Sequence, residues 1–196
     1  MTIRLASIPS PRYLGAALAL AAGALAACGS REPAPAADDP VARGKYLVTA
    51  ALCNDCHTPM KLGPNGPERD EAHLLAGHPQ DVVVPPPPAA QGPWNVSTTD
   101  TMTAWSGPWG VSFTANLTPD PETGLGTWDA QTFIDTIRNA RHMGKGRPLL
   151  PPMPAELIAT LTDDDLRAMF AYLRSIPPVK NRVPDPIAPS IAAATP

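Results

Sequence analysis

The chain has 196 residues, 27 of them proline, with aromatics at only 5% and a formal net charge of -3. That length suits one domain plus processing segments, and the proline content excludes regular helix or sheet over much of it, since proline lacks the N–H and fixes φ. So few aromatics favour a fold packed around a large apolar cofactor, and the mild charge excludes nucleic acid as an expected partner.

Arg4 and Arg12 precede an apolar run from Leu14 to Ala27. The run is too short to span a bilayer comfortably, so residues 1–27 read as an export signal. It ends in Leu25-Ala26-Ala27-Cys28, which resembles the lipobox of bacterial lipoproteins. That resemblance implies Cys28 as first mature residue and lipid carrier, and so a membrane-anchored lipoprotein of the periplasm. The alternative is cleavage after Ala24-Leu25-Ala26, which leaves Cys28 an exported thiol without a partner. Removing the signal takes away two arginines and no acid, so the net charge of -3 becomes -5. Export also places the remaining cysteines in an oxidising compartment. Residues 28–38 are small, polar and Pro/Ala-rich, the composition of a tether or of a disordered terminus.

The main domain is expected over residues 39–184. Asp39 suits a helix cap and Pro40 the first helical position. Gly44, Leu47, Val48 and Ala51 then fall on one face, and the helix should run into Cys53. Residues 58–126 hold no long helical pattern and no convincing strand pattern. Gly63-Pro64-Asn65-Gly66-Pro67 is turn chemistry, and Pro85 to Pro88 favours polyproline II. A short helix is expected near Glu71 to Leu75. Trp94, Trp105 and Trp109 argue against disorder here, so the segment should wrap over something apolar. A second long helix starts at Thr127 or Asp129 and buries Ala130, Phe133, Ile134 and Ile137. Pro154 opens a short helical segment through Leu161. Thr162 caps the last helix, whose first turn carries Asp163, Asp164 and Asp165. Its apolar face is Leu166, Met169, Phe170 and Leu173, and Pro177-Pro178 stops it. Residues 185–196 form an extended tail. The expected fold is all-α, with one long Pro/Gly-rich loop around a cofactor.

That cofactor is indicated by Cys53-Asn54-Asp55-Cys56-His57. A C-x-x-C-H run is the attachment motif of c-type haem. Cysteines three apart on a helical turn share one side, where both sulfurs can form thioethers, and the next residue offers its imidazole to the iron. A thiol-redox pair would need a βαβ pattern, which is absent. A zinc site would need clustered ligands, but His73, His78 and His142 are scattered. The motif occurs once, so one covalent haem is expected, with His57 as an axial ligand. Its other ring nitrogen should donate to a carbonyl in the following loop, with Pro64 the candidate.

A methionine opposite would suit electron transfer. Met1 lies in the signal, Met60 follows His57 too closely, Met102 lies in the wrapping loop and Met169 belongs to a helix stripe. Met153, in Leu150-Pro151-Pro152-Met153-Pro154, is stiffened by its prolines and is the preferred ligand; Met143 and His142 are the other candidates. Asp120-Pro121-Glu122-Thr123-Gly124 lacks the periodicity of a calcium loop and reads as a turn. Asn116 and Arg141 are open between contact with haem carboxylates and ordinary solvent or turn roles.

Gly44-Lys45-Tyr46-Leu47 before CNDCH, the Met-Pro pair, and Asp164-Asp165-Leu166 with Ala171-Tyr172-Leu173 together resemble class I cytochromes c. Asn116-Leu117-Thr118-Pro119-Asp120-Pro121-Glu122-Thr123-Gly124-Leu125-Gly126-Thr127-Trp128 is similar to a segment of bacterial periplasmic cytochromes c. Among these are cytochrome subunits of membrane-bound alcohol and sugar dehydrogenases. The resemblance covers residues 42 to 184. It implies a helical cytochrome c fold, axial ligation by His57 and Met153, and single-electron exchange with a dehydrogenase, an oxidase or another cytochrome. The chain is then expected to be a carrier and not an enzyme. The alternative is a haem-based sensor or small catalytic cytochrome whose sixth position is open.

Overall fold

Each long helix begins at a side chain that accepts from its own first turn. The computed structural model describes residues 39–86 and 93–189. The expected signal, the tether and Cys28 lie outside the described residues. Helix α1 spans Pro40–Ala50, with the Asp39 carboxylate accepting from Ala42 N at 2.9 Å. Helix α2 is the single turn Cys53–His57. The two are not continuous as expected: Leu52, at φ 58, turns the chain between them. Helix α3, Ala130–Asn139, is capped by Asp129 and ends on left-handed Ala140. Helix α4 covers only Ala155–Ile158 of the expected 154–161 segment. Helix α5, Asp163–Ser175, is capped by Thr162, whose hydroxyl accepts from Asp165 N at 3.1 Å.

The core is the meeting of the predicted apolar faces. Gly44, Leu47 and Val48 of α1 are buried, as are Leu166, Met169, Phe170 and Leu173 of α5 and Phe133, Ile134 and Ile137 of α3. α1 crosses α5 at Gly44, where a Cβ would lie 1.9 Å from the Ala168 carbonyl oxygen. Arg43 grips Asp165 through Nε and Nη2 at 3.0 and 2.9 Å across the same crossing. Phe133 and Phe170 stack with ring centroids 5.5 Å apart. Arg138 ties α3 to the α4–α5 corner, donating to Leu161 O at 2.8 Å and to Asp163 at 2.7 Å.

The all-α expectation is overturned. Among the described residues, five α-helices are joined by two antiparallel sheets. Strands β1 (Met60–Gly63) and β2 (Gly66–Arg69) form a hairpin, with Gly63 opposite Gly66 around Pro64-Asn65. Strands β3 (Ser97–Thr98), β4 (Ala104–Gly107) and β5 (Gly110–Phe113) form the second sheet. The reason is length and exposure. None of these strands exceeds four residues, and the first hairpin is largely exposed, so no apolar alternation marks it. Turn chemistry and backbone pairing define these strands instead. The tail adds to β5: Val111 and Ile187 exchange hydrogen bonds at 2.8 and 2.9 Å. The helix expected near Glu71 is a 3-10 turn, Glu71–His73, followed by buried Leu75 and Ala76. Among the described residues no helix is long and apolar enough to cross a membrane.

Candidate functional site

The single turn α2 carries Cys53, Cys56 and His57. The two thiols are not joined, and both are half-buried. Burial pushes the Cys53 thiol up to about 11. Burial also raises the Cys56 thiol, and the Asp55 carboxylate adds to this. Both are therefore neutral near pH 7, unlike the thiolate of a disulfide-exchange enzyme.

His57 is 8% exposed. Its Nδ1 lies 2.8 Å from the Ala115 carbonyl, which can only accept, so Nδ1 carries the proton. Burial lowers the imidazole's pKa, so the ring is neutral. Nε2 has no hydrogen bond among the described residues. One ring nitrogen fixed by a carbonyl and the other disengaged is the posture of a metal-ligating histidine. The expected acceptor, Pro64, sits instead in the β1–β2 turn. Ala115 reaches His57 from 58 residues away because two backbone hydrogen bonds hold residues 114–117 alongside 75–78. Leu117 N donates to Leu75 O at 2.8 Å and His78 N to Thr114 O at 3.0 Å. Thr58, fully buried and next to His57 in the chain, accepts from Leu75 N at 2.9 Å and ties this segment to α2.

The other histidines are engaged differently. His78 is buried with Nδ1 on Thr103 Oγ1 at 2.9 Å and Nε2 on Val82 O at 3.0 Å. His73 is exposed and bonded to Asp70 at 2.6 Å. His142 stands edge-on to Trp128, centroids 5.4 Å apart. Among the described residues no three His, Cys, Asp or Glu side chains gather into a metal site of their own.

Met153 is half-buried against the core, in the same half-buried apolar set as Cys53, Leu74, Leu117 and Trp128. Ser112 of β5 donates to the Pro151 carbonyl at 2.6 Å and anchors the loop that carries it. Met143 is 47% exposed and Met102 36%, while Met169, at 2%, lies inside the core itself.

Asn116 holds the tail rather than facing solvent. Its Nδ2 donates to Val179 O at 2.8 Å, while its Oδ1 accepts from Thr118 N at 3.0 Å. Arg141 is exposed and donates to Gly146 O at 3.0 Å. Asp120 accepts from Thr123 N and Oγ1 at 2.8 and 2.6 Å, which is turn chemistry. Sequence reasoning missed Ala115, Thr58, Ser112 and Asn181, whose Nδ2 donates to Ala76 O and His78 O in the segment beside Ala115. The last three are ordinary polar residues without a motif, and the first acts through its backbone.

Paired neutral thiols one helical turn apart and a neutral imidazole with a disengaged Nε2 are the elements of a haem-attachment site. Residues 41–177 match the cytochrome c family model, and the chain belongs to that family. It is a c-type cytochrome, related to cytochrome subunits of dehydrogenases. It is 32% identical over 158 residues to the cytochrome c subunit of the quinone alcohol dehydrogenase of Gluconacetobacter polyoxogenes, covering 75% of this chain and 26% of that protein. It is 29% identical over 141 residues to the fructose dehydrogenase cytochrome subunit of Gluconobacter japonicus, covering 72% of this chain and 22% of that one. A 69-residue stretch is 39% identical to a nicotinate dehydrogenase subunit from Pseudomonas putida, covering 35% of this chain and 6% of that protein. The chain therefore spans about a quarter or less of the length of these relatives. Family membership carries a covalently bound haem c with its iron, attached in the Cys53–Cys56 region, and a role in electron transfer.

Proposed function

We propose that this chain is a monohaem electron carrier of the cell envelope, with axial ligation by His57 and Met153. The observation that carries the assignment is the His57 ring: Nδ1–H is committed to Ala115 O at 2.8 Å, which leaves Nε2 as the lone-pair donor. Cys53 and Cys56 supply the two thioether sulfurs from one face of α2. Met153 would supply a thioether ligand from a loop tied down by Ser112. When bound, haem supplies a one-electron ferric/ferrous couple, whose potential a methionine ligand raises. The chain's own contribution would be to hold both ligands, His57 through the Ala115 carbonyl and Met153 through the loop that Ser112 anchors. With His57 and Met153 both engaged as ligands, no position would be left for a substrate, so the chain would pass electrons without turning over a substrate of its own.

Two buried donors, Trp109 Nε1 and Thr114 Oγ1, have no acceptor among the described residues. A carboxylate-bearing cofactor would satisfy such groups, which supports the fit of a haem beside β5. The names of the relatives favour a dehydrogenase as electron donor; an oxidase or a second cytochrome is the acceptor we propose. Export and lipidation at Cys28 would hold the domain at the periplasmic membrane surface through residues 28–38. Changing Cys28 to Ser should release the protein from membranes, and unchanged retention would count against the anchor.

Carbon monoxide tests the ligation. The reduced protein should bind it slowly and weakly at neutral pH, and Met153→Ala should bind it fast. Fast, tight binding by the unaltered protein would favour the sensor or catalytic alternative with its open sixth position.

A further inference from the structure

We infer that Gly77 is a positioning residue for the axial imidazole, which rests on the reading of His57 as a ligand. Gly77 has φ +79, a conformation that side chains disfavour, and it lies directly against the carbonyl that His57 uses. A Cβ there would stand 2.6 Å from Ala115 O, 2.6 Å from Ala115 C and 2.4 Å from Thr114 O. The same glycine's N–H donates to the His57 backbone carbonyl at 2.8 Å. Gly77 thus touches both ends of the His57 anchorage: the backbone that carries the ring and the carbonyl that orients it.

Its neighbours are fixed independently. Asn181, 6% exposed, donates from Nδ2 to Ala76 O at 2.7 Å and to His78 O at 2.9 Å, bracketing Gly77 on both sides. With these carbonyls held, an added Cβ could be relieved only by moving residues 114–115. Ordinary contact at 3.4 Å requires Ala115 O to retreat by about 0.8 Å. A shift of that size can take a 2.8 Å bond beyond hydrogen-bonding range.

Electronically, the Nδ1–H bond makes the imidazole a stronger donor to the metal. Stronger donation favours the ferric state. Weakening the bond should therefore raise the reduction potential, while the thioethers keep the haem attached.

The test uses the holoprotein, with potential by spectroelectrochemical titration and His57 Nδ1–H exchange with deuterium by proton NMR. Gly77→Ala and Asn181→Ala should keep covalent haem, titrate at higher potential and exchange Nδ1–H about tenfold faster or more, as expected when local opening becomes easier. Gly66→Ala is the control: its φ of +117 carries strain, but nothing lies within 4 Å of the added Cβ. It should lose stability and leave both readouts unmoved. Potentials and exchange rates like wild type in both test variants would overturn the proposal. If Gly77→Ala fails to accumulate, Asn181→Ala and the wild-type protein decide. Gly77 N–H and His57 Nδ1–H should exchange with the same opening free energy in wild type, and a Gly77 N–H that exchanges far faster refutes the clamp. His57→Ala separates the two levels. Unchanged Soret and α bands in that variant would sink the axial assignment itself, whereas altered bands with silent Gly77→Ala and Asn181→Ala sink only the positioning role.

Discussion

Replacing Gly44 by alanine sets helix propensity against packing at the α1–α5 crossing. Alanine in a helix interior is favoured over glycine by about 1 kcal/mol, so an isolated α1 would gain from the change. In the fold the new methyl would lie 1.9 Å from Ala168 O, 2.6 Å from Ala168 C and 2.8 Å from Tyr172 Cβ. The nearest of these is helix backbone, which cannot rotate away. Restoring a 3.4 Å contact requires the helices to part by about 1.5 Å. That separation loosens the packing of Leu47 and Val48 in the shared core. Overpacking of this kind costs about 1–3 kcal/mol and occasionally more, and a backbone collision belongs at the upper end. After the propensity gain, a net loss of about 2 kcal/mol is expected, or about 4–8 °C in Tm. Urea and thermal unfolding of the holoprotein, followed by far-ultraviolet circular dichroism, measure it. A Gly44→Ala protein as stable as wild type, or more so, would show that the helices do not cross at this residue.

Three further outcomes follow from local geometry. Thr162→Ala removes the hydroxyl that accepts from Asp165 N and should cost about 1 kcal/mol in the same unfolding assay. Ser112→Ala removes the 2.6 Å bond to Pro151 O; it should cost about 1 kcal/mol and speed carbon monoxide capture by the reduced protein, while unchanged capture would disconnect β5 from Met153. Asp129 gives a pH dependence: hydrogen bonds from the Thr132 backbone and then its hydroxyl hold the carboxyl below its ordinary value of 3.8. The unfolded chain then takes up the proton first on acidification, so the stability contributed is present above that value and lost as pH falls through the folded one. Asp129→Asn keeps a capping acceptor without the titration, so its stability should fall less steeply in that acid range, and equal slopes would refute the assignment.

Local chemistry was readable in the chain. Asp39, Asp129 and Thr162 each hydrogen-bond to a backbone N–H three residues on, so their effect is written within one turn. The apolar faces of α1, α3 and α5 were equally plain, because helical periodicity is a property of neighbouring residues. The C-x-x-C-H spacing sets two sulfurs and an imidazole on one helical turn without reference to the rest of the fold. The strands were not readable, because two to four residues cannot establish an alternation and these are held by turns and by pairing to the backbone.

What the sequence determined by itself is therefore the cofactor, its covalent attachment region and the helices that frame it. Tertiary structure decided how the imidazole is oriented. Ala115 lies 58 residues from His57 and acts through a carbonyl that every residue possesses. Asn181 reaches back 105 residues to Ala76, and Ser112 reaches forward 39 to the Met153 loop. Such contacts depend on which backbone groups the folded chain brings together, and a backbone carbonyl leaves no mark in the identity of its residue.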